Sequence, residues 1–318
     1  MKKTFSLIIT FILIISVFCG CTNQSENKQN GLSIVCTAFP QYDYAKNILG
    51  SDETLTLLLD DGADLHSYEP TAQDIIAIGS ADIFIYIGGN SDLWVEGALK
   101  SANNPQLKTI ALMDIVDTYE VEYVAGMEHS HGEHISAHGG DHSEEDEHIW
   151  LSLKNAVKIT ENLCNAICEA DPENSEIYKN NAQKYISSLS KLDNEYSDTV
   201  ESAKRKTLLF ADRFPFRYLT EDYGLEYFAA FAGCSSESEA SFKTMAFLID
   251  KTNELQLPAI LTIDGSDGSI AEMIIKSSNS KILSLDSCQS VSITDIKNGT
   301  SYLGIMQRNL EVLKEVLN

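Results

Sequence analysis

The chain has 318 residues, 43% hydrophobic and 22% charged. That is globular composition, which excludes a disordered or collagen-like chain. With 23 basic residues against 47 acidic ones the formal net charge is −24. A field of that sign repels nucleic acid and attracts cations, so no nucleic-acid partner is expected.

Lys2 and Lys3 precede a mostly apolar run over residues 5–18, shorter than the ~20 residues of a comfortable membrane span. The pattern reads as an export signal over residues 1–21. Its end, Phe18-Cys19-Gly20-Cys21, resembles a bacterial lipoprotein signal. The small Gly20 makes Cys21 the residue that takes the lipid. An uncleaved anchor is the alternative, and both readings put the folded part outside the cytoplasm. Residues 22–31 are polar and read as a tether. Beyond them lie Cys36, Cys164, Cys168, Cys234 and Cys288, an odd set that leaves at least one free thiol.

Strands are expected over 32–37, 54–59, 83–87 and 108–112, with helices over 42–49, 71–79 and 94–101. This alternation implies right-handed βαβ units and a parallel sheet. The first lobe spans 32–170. Within it, residues 126–147 lack apolar periodicity and read as a mobile loop rich in histidine. Residues 149–170 have helical spacing and stop at Asp171-Pro172, because a residue before proline avoids the helical region. Residues 175–205 contain no Gly or Pro, and their apolar positions recur at threes and fours. They form a rod of about 46 Å inside a linking segment, 171–206, long enough to reach a second lobe. That lobe, 207–318, repeats the rhythm, with strands over 207–211, 225–231, 259–263 and 281–285. Its helices fall over 216–223, 241–255, 270–277 and 302–317. The fold class is α/β with two parallel-sheet lobes.

In such sheets ligands bind beyond the carboxyl ends of the strands. His66, Asp212 and Asp264 each follow a predicted strand, and His148 sits where the loop meets a helix. A lone loop histidine is commonly just a satisfied or exposed side chain. Two imidazoles with carboxylates at one crevice, however, suit a borderline cation such as Zn²⁺. The loop adds His129, His131, His134, His138 and His142 among acidic residues, an adaptive tract for accessory metal capture. His131-Gly132-Glu133-His134 lacks the spacing of a zinc-protease motif. No nucleophile elbow, phosphate loop or dinucleotide fingerprint appears. The Gly/Ser turn Gly265-Ser266-Asp267-Gly268-Ser269 would face an anion only against the net charge. No general base stands out for a metallohydrolase, and no catalysis is expected.

These residues resemble the metal-binding, substrate-binding proteins of bacterial ABC importers for zinc and manganese. The resemblance runs from about residue 32 to the end. It rests on Thr37-Ala38-Phe39-Pro40-Gln41-Tyr42-Asp43, Asp64-Leu65-His66-Ser67-Tyr68-Glu69-Pro70-Thr71 and Glu147-His148-Ile149-Trp150-Leu151-Ser152. Asp171-Pro172-Glu173-Asn174 and Tyr223-Gly224-Leu225 add to it. It implies two α/β lobes joined by one long rigid helix, with the metal in the interlobe crevice. His66 and His148 match the first two ligands and Asp264 the late carboxylate. Ala211 stands where the family places a His or Glu, and a methyl group cannot ligate. Asp212, Glu237, Glu239 or water are the replacements to weigh, and Ala211→His is expected to restore a ligand. The implied function is Zn²⁺ capture and delivery to an ABC permease and its ATPase, with the lipid on Cys21 holding the protein at the outer face of the cell membrane. A Mn²⁺ receptor and a metal-binding surface adhesin are the alternatives. Among the thiols, Cys164 and Cys168 share a helix face, where a disulfide would be strained. Cys234 and Cys288 both follow second-lobe strands and are expected to pair near the crevice mouth.

Overall fold

Strand and helix alternate through both halves of the chain, as the spacing of apolar residues requires. The computed structural model describes residues 31–60, 65–127, 144–233, 235 and 239–318. The signal and tether with Cys21, the loop histidines His129, His131, His134, His138 and His142, and Cys234 and Glu237 lie outside the described residues.

The first half contains β1 (Ile34–Cys36), α1 (Phe39–Leu49), β2 (Leu55–Leu57), α2 (Ala72–Ser80), β3 (Ile83–Tyr86), α3 (Val95–Ala102) and β4 (Lys108–Ala111). Its strands lie in the order β2-β1-β3-β4, all parallel. Helix α1 begins ahead of the expected 42, because Pro40 sits in its first turn, where a missing N–H costs nothing. Thr71 and Asp74 form a reciprocal capping box on α2, satisfying two otherwise orphaned amides.

Two helices follow, α4 (Leu153–Ala170) and α5 (Ser175–Glu201). The Ser152 hydroxyl caps α4 by accepting from the Asn155 amide. Helix α5 has 27 residues, about 40 Å. It ends four residues short of the expected 205, where the chain turns to pair with the C-terminus: the Arg205 amide donates to the Leu317 carbonyl at 3.1 Å.

The second half contains β5 (Thr207–Phe214), α6 (Arg217–Tyr223), β6 (Glu226–Ala232), α7 (Phe242–Glu254), β7 (Ala259–Ile263), α8 (Ser269–Ile275), β8 (Lys281–Leu285), α9 (Ile293–Lys297) and α10 (Tyr302–Val316). Its parallel strands run in the order β6-β5-β7-β8. Strand β5 outruns the expected 207–211 and takes in Asp212. Its register against β6 shifts between Phe210 and Arg213, the mark of a bulge that lets pairing continue past a local kink. Helix α9 was not expected, since its signal is only the short capping box Ser292–Asp295.

One continuous apolar core joins both sheets to the long helix. It runs from Leu32 through Ile34, Tyr44 and Trp150, along Tyr185, Leu189 and Tyr196 of α5, to Phe210, Tyr302 and Leu317. Hydrogen bonds between residues distant in sequence satisfy the polar tips of its aromatics. Trp150 Nε1 donates to the Ser287 carbonyl at 2.9 Å, the Tyr302 hydroxyl to the Trp150 carbonyl at 2.5 Å, and the Tyr196 hydroxyl to the Met306 carbonyl at 2.6 Å. Behind the second sheet a separate cluster holds Leu209, Ala211, Leu248, Ile270 and Ile274. Strand β5 thus sends Leu208 and Phe210 to one core and Leu209 and Ala211 to the other, the two-residue alternation of a strand. Among the described residues no helix is long and apolar enough to cross a membrane.

Candidate metal centre

His66 lies on a short 3-10 turn, Leu65–Ser67, after β2. His148 ends the segment that leads into a second 3-10 turn, Ile149–Leu151. The chain brings the two rings together with centroids 5.4 Å apart. His148 is fully buried, with the Trp150 ring 5.3 Å away. Gly233, just past β6, completes its surroundings. A Cβ there would meet His148 Cε1 at 3.1 Å and the Phe214 carbonyl at 2.7 Å, so only glycine lets the second lobe close on this imidazole.

Each imidazole is held through Nδ1. His148 Nδ1 lies 2.8 Å from Asp146 Oδ1, and the same oxygen accepts from the His148 amide at 2.9 Å. His66 Nδ1 lies 2.9 Å from the Ser91 hydroxyl. A carboxylate against Nδ1 favours the tautomer that carries its proton there and leaves the lone pair on Nε2. His148 Nε2 is buried and has no hydrogen-bond partner among the described residues. Such a nitrogen is costly to bury unless something else uses it.

Glu147 supports the same arrangement one step back. Its Oε1 accepts from the Ser91 amide at 2.9 Å, fixing the residue that holds His66. Gly89, at φ 79°, makes room: a Cβ there would meet Glu147 Oε1 at 2.6 Å. Burial pushes the Glu147 carboxyl above its ordinary range, and the two Ser91 hydrogen bonds oppose that. Asp146 and Glu147 therefore do not belong to a solvated loop, as the reading of residues 126–147 had them. They are 3% and 2% exposed, because one orients an imidazole and the other a serine. Ser91, Asp146 and Glu147 escaped the sequence reading. The only signal for them was adjacency to a strand end or to His148.

Asp264 stands at the carboxyl end of β7, as expected. Its Oδ1 accepts from the Ser287 amide at 2.6 Å, and the Ser287 carbonyl takes the Trp150 indole proton. Asp286, after β8, is a further carboxylate here. Burial first, and the Asp264 charge second, push its carboxyl up to about 6. Asp212 keeps Oδ1 on the Arg213 amide at 2.8 Å, while its Oδ2 is buried without a hydrogen-bond partner among the described residues. Glu239 is exposed. Ala211 does not open into the crevice: its methyl packs in the core behind the second sheet with Leu248 and Ile270. Among the described residues no three His, Cys, Asp or Glu side chains gather closely enough to hold an ion. The chain brings two imidazoles together, with the Asp146 carboxylate behind one of them, and among the described residues no further carboxylate completes a three-ligand group.

Cys288 is a free thiol and does not sit at the crevice mouth in the expected link to Cys234. Its backbone turns through φ 61°, and the side chain is fully buried in the main core. Burial holds its thiol far above the ordinary range.

Two parallel sheets packed against one long helix, with paired imidazoles at the strand ends, define a two-lobed α/β binding protein. The chain belongs to the ZnuA family, described as zinc-uptake complex component A, periplasmic, whose model matches residues 34–316. It is 30% identical over 315 residues to a zinc-binding lipoprotein, AdcA, of Streptococcus pneumoniae, covering 99% of this chain and 61% of that protein. The chain thus spans about three-fifths of the AdcA length. It is 29% identical over 322 residues to the high-affinity zinc uptake system protein ZnuA of Bacillus subtilis, covering 100% of this chain and 99% of the other. The crystal structure of the Zn(II)-bound ZnuA-like domain of S. pneumoniae AdcA superposes with a TM-score of 0.72 at 28% identity, covering 90% of this chain and 98% of that one.

Proposed function

We propose that this protein captures Zn²⁺ outside the cytoplasm and hands it to the permease of an ABC importer. The observation that carries the reading is the His66–His148 pair, with both rings anchored at Nδ1 and His148 Nε2 buried without a hydrogen-bond partner among the described residues. Neutral imidazoles are good ligands for Zn²⁺ at about 2.0–2.1 Å, whereas the harder Mn²⁺ prefers oxygen. The names of the relatives point the same way. Asp264 is the carboxylate that closes on the ion from the second lobe, with Asp212, Glu237 and Glu239 as the alternates. The histidines over 129–142 serve as a weaker capture tract, and a lipid on Cys21 holds the protein at the membrane surface.

Competition titration of the mature protein lacking residues 128–143 tests this. The deletion spares Asp146 and Glu147, which the site needs. Zn²⁺ should bind more tightly than Mn²⁺, and His66→Ala and His148→Ala should each remove the tight site. Tighter Mn²⁺ binding would overturn the zinc assignment. A tight site that survives both substitutions would overturn the crevice as its location.

A further inference from the structure

The C-terminal half of α4 carries a second constellation that the crevice does not use. Cys164 and Cys168 lie one turn apart on the same face, with their sulfurs 4.0 Å from each other. Cys164 is buried and Cys168 half-buried, so the pair is reached from the Cys168 side. The Cys168 thiol points at the Ser175 carbonyl, 3.6 Å away, at the start of α5. At 1.5 Å per residue, Cys164 lies about 17 Å further along α4 than Leu153, so the pair is remote from His148.

Two fates are open to such thiols in an exported protein, and geometry separates them. A disulfide needs Cβ atoms about 3.5–4.5 Å apart. Positions i and i+4 of a helix hold theirs at about 5–6 Å, so a disulfide would require α4 to distort. A metal makes no such demand. Two sulfurs on a tetrahedral Zn²⁺, with Zn–S of about 2.3 Å, sit about 3.8 Å apart, close to the separation seen here. Burial, and then the Cys168 thiol, push Cys164 up to about 11. Little free thiolate is then present, so a cation binds here by displacing the thiol proton and its affinity rises with pH.

We propose that Cys164 and Cys168 form a two-thiolate site for a thiophilic cation such as Zn²⁺ or Cd²⁺, separate from the interlobe crevice. Binding forms two metal–sulfur bonds and releases two S–H protons to solvent, with no change of oxidation state. Among the described residues no third His, Cys, Asp or Glu joins the pair. The Ser175 carbonyl and water complete the shell, so the site is exchangeable and weaker than a four-ligand one.

The test uses the mature chain, reduced, stripped of metal and titrated with CdCl₂ without air. A thiolate-to-cadmium charge-transfer absorption should grow in and saturate, and ZnCl₂ should displace it. Histidine and carboxylate ligands give no such band, so the result is independent of the crevice. Cys164→Ala and Cys168→Ala, both compatible with a helix, should each abolish the band, with circular dichroism showing that α4 is intact. Absence of the band in the wild-type chain would overturn the site, as would its survival in the double variant. So would a Cys164–Cys168 disulfide found by peptide mapping of protein purified without reductant.

Discussion

Asp146 grips His148 twice with a single oxygen, taking the ring at 2.8 Å and the backbone amide at 2.9 Å. Its own carbonyl accepts from the Tyr218 hydroxyl at 2.7 Å, so the grip is anchored to α6 of the second lobe. Partners of this kind fix ring orientation and raise ligand basicity. Asp146→Asn should lower Zn²⁺ affinity by about 10–100-fold while leaving the fold intact. Competition against a chromophoric chelator measures this, and an unchanged affinity would remove Asp146 from the site.

Two glycines give opposite expectations. Gly233→Ala drives a methyl against His148 and the Phe214 carbonyl, so it should weaken Zn²⁺ binding. Gly97, in α3, has nothing within 4 Å of a built Cβ. Gly97→Ala should stabilise the protein by about 0.5–1 kcal/mol and leave affinity alone. Urea unfolding and the same chelator assay report both quantities.

Ala211→His should not restore a ligand, contrary to the expectation from sequence. Its methyl is 2% exposed behind the second sheet. A larger side chain there should cost about 1–3 kcal/mol by overpacking, with no tightening of Zn²⁺ binding. A tenfold gain in affinity would show instead that the position can turn into the crevice.

Asp43, on α1, is buried beneath α5 and accepts from the Tyr185 hydroxyl at 2.9 Å. Burial is the largest influence on it and pushes its carboxyl up to about 6, against the Tyr185 hydrogen bond and the Lys46 charge. Between the ordinary carboxylate range and about 6 the folded protein therefore holds more protons than the unfolded chain. The contribution of Asp43 to stability is full below that window and is lost as pH rises through it. The effect is on the order of 2–3 kcal/mol. Asp43→Asn should be more stable than wild type at pH 7, and the advantage should disappear near pH 4. Urea unfolding of the metal-free protein at both pH values tests the sign.

Both sheets were legible because their strands are short apolar runs closed by Gly or Asp. Strands β7 and β8 fall on the expected residues. The pairing of His66 with His148 and the place of Asp264 after β7 were legible, because polar residues beyond strand ends are where a crevice forms and because their neighbours resemble a known family. Asp146 and Glu147 were not, since acidic residues beside a histidine tract read as solvated. Only tertiary contacts with Ser91, Tyr218 and Gly89 draw them inside. The fate of Ala211 was equally hidden. Ala211 keeps the two-residue alternation of β5 and so faces the core behind the sheet with Leu209, while the resemblance put it at the crevice.

The core shared by the two lobes bears on how the protein would respond to a bound cation. Tyr44, Tyr196, Tyr302 and Trp150 belong to a single packed body with the long helix. Neither sheet can melt without exposing the inner face of the other. Heating should therefore give one cooperative transition, with calorimetric and van't Hoff enthalpies in agreement. A cation bound at the strand ends stabilises the native state by mass action, and in a body of this kind that gain reaches every element. Hydrogen exchange at the buried amides of β1 and β7, one in each sheet, should slow together as zinc is added.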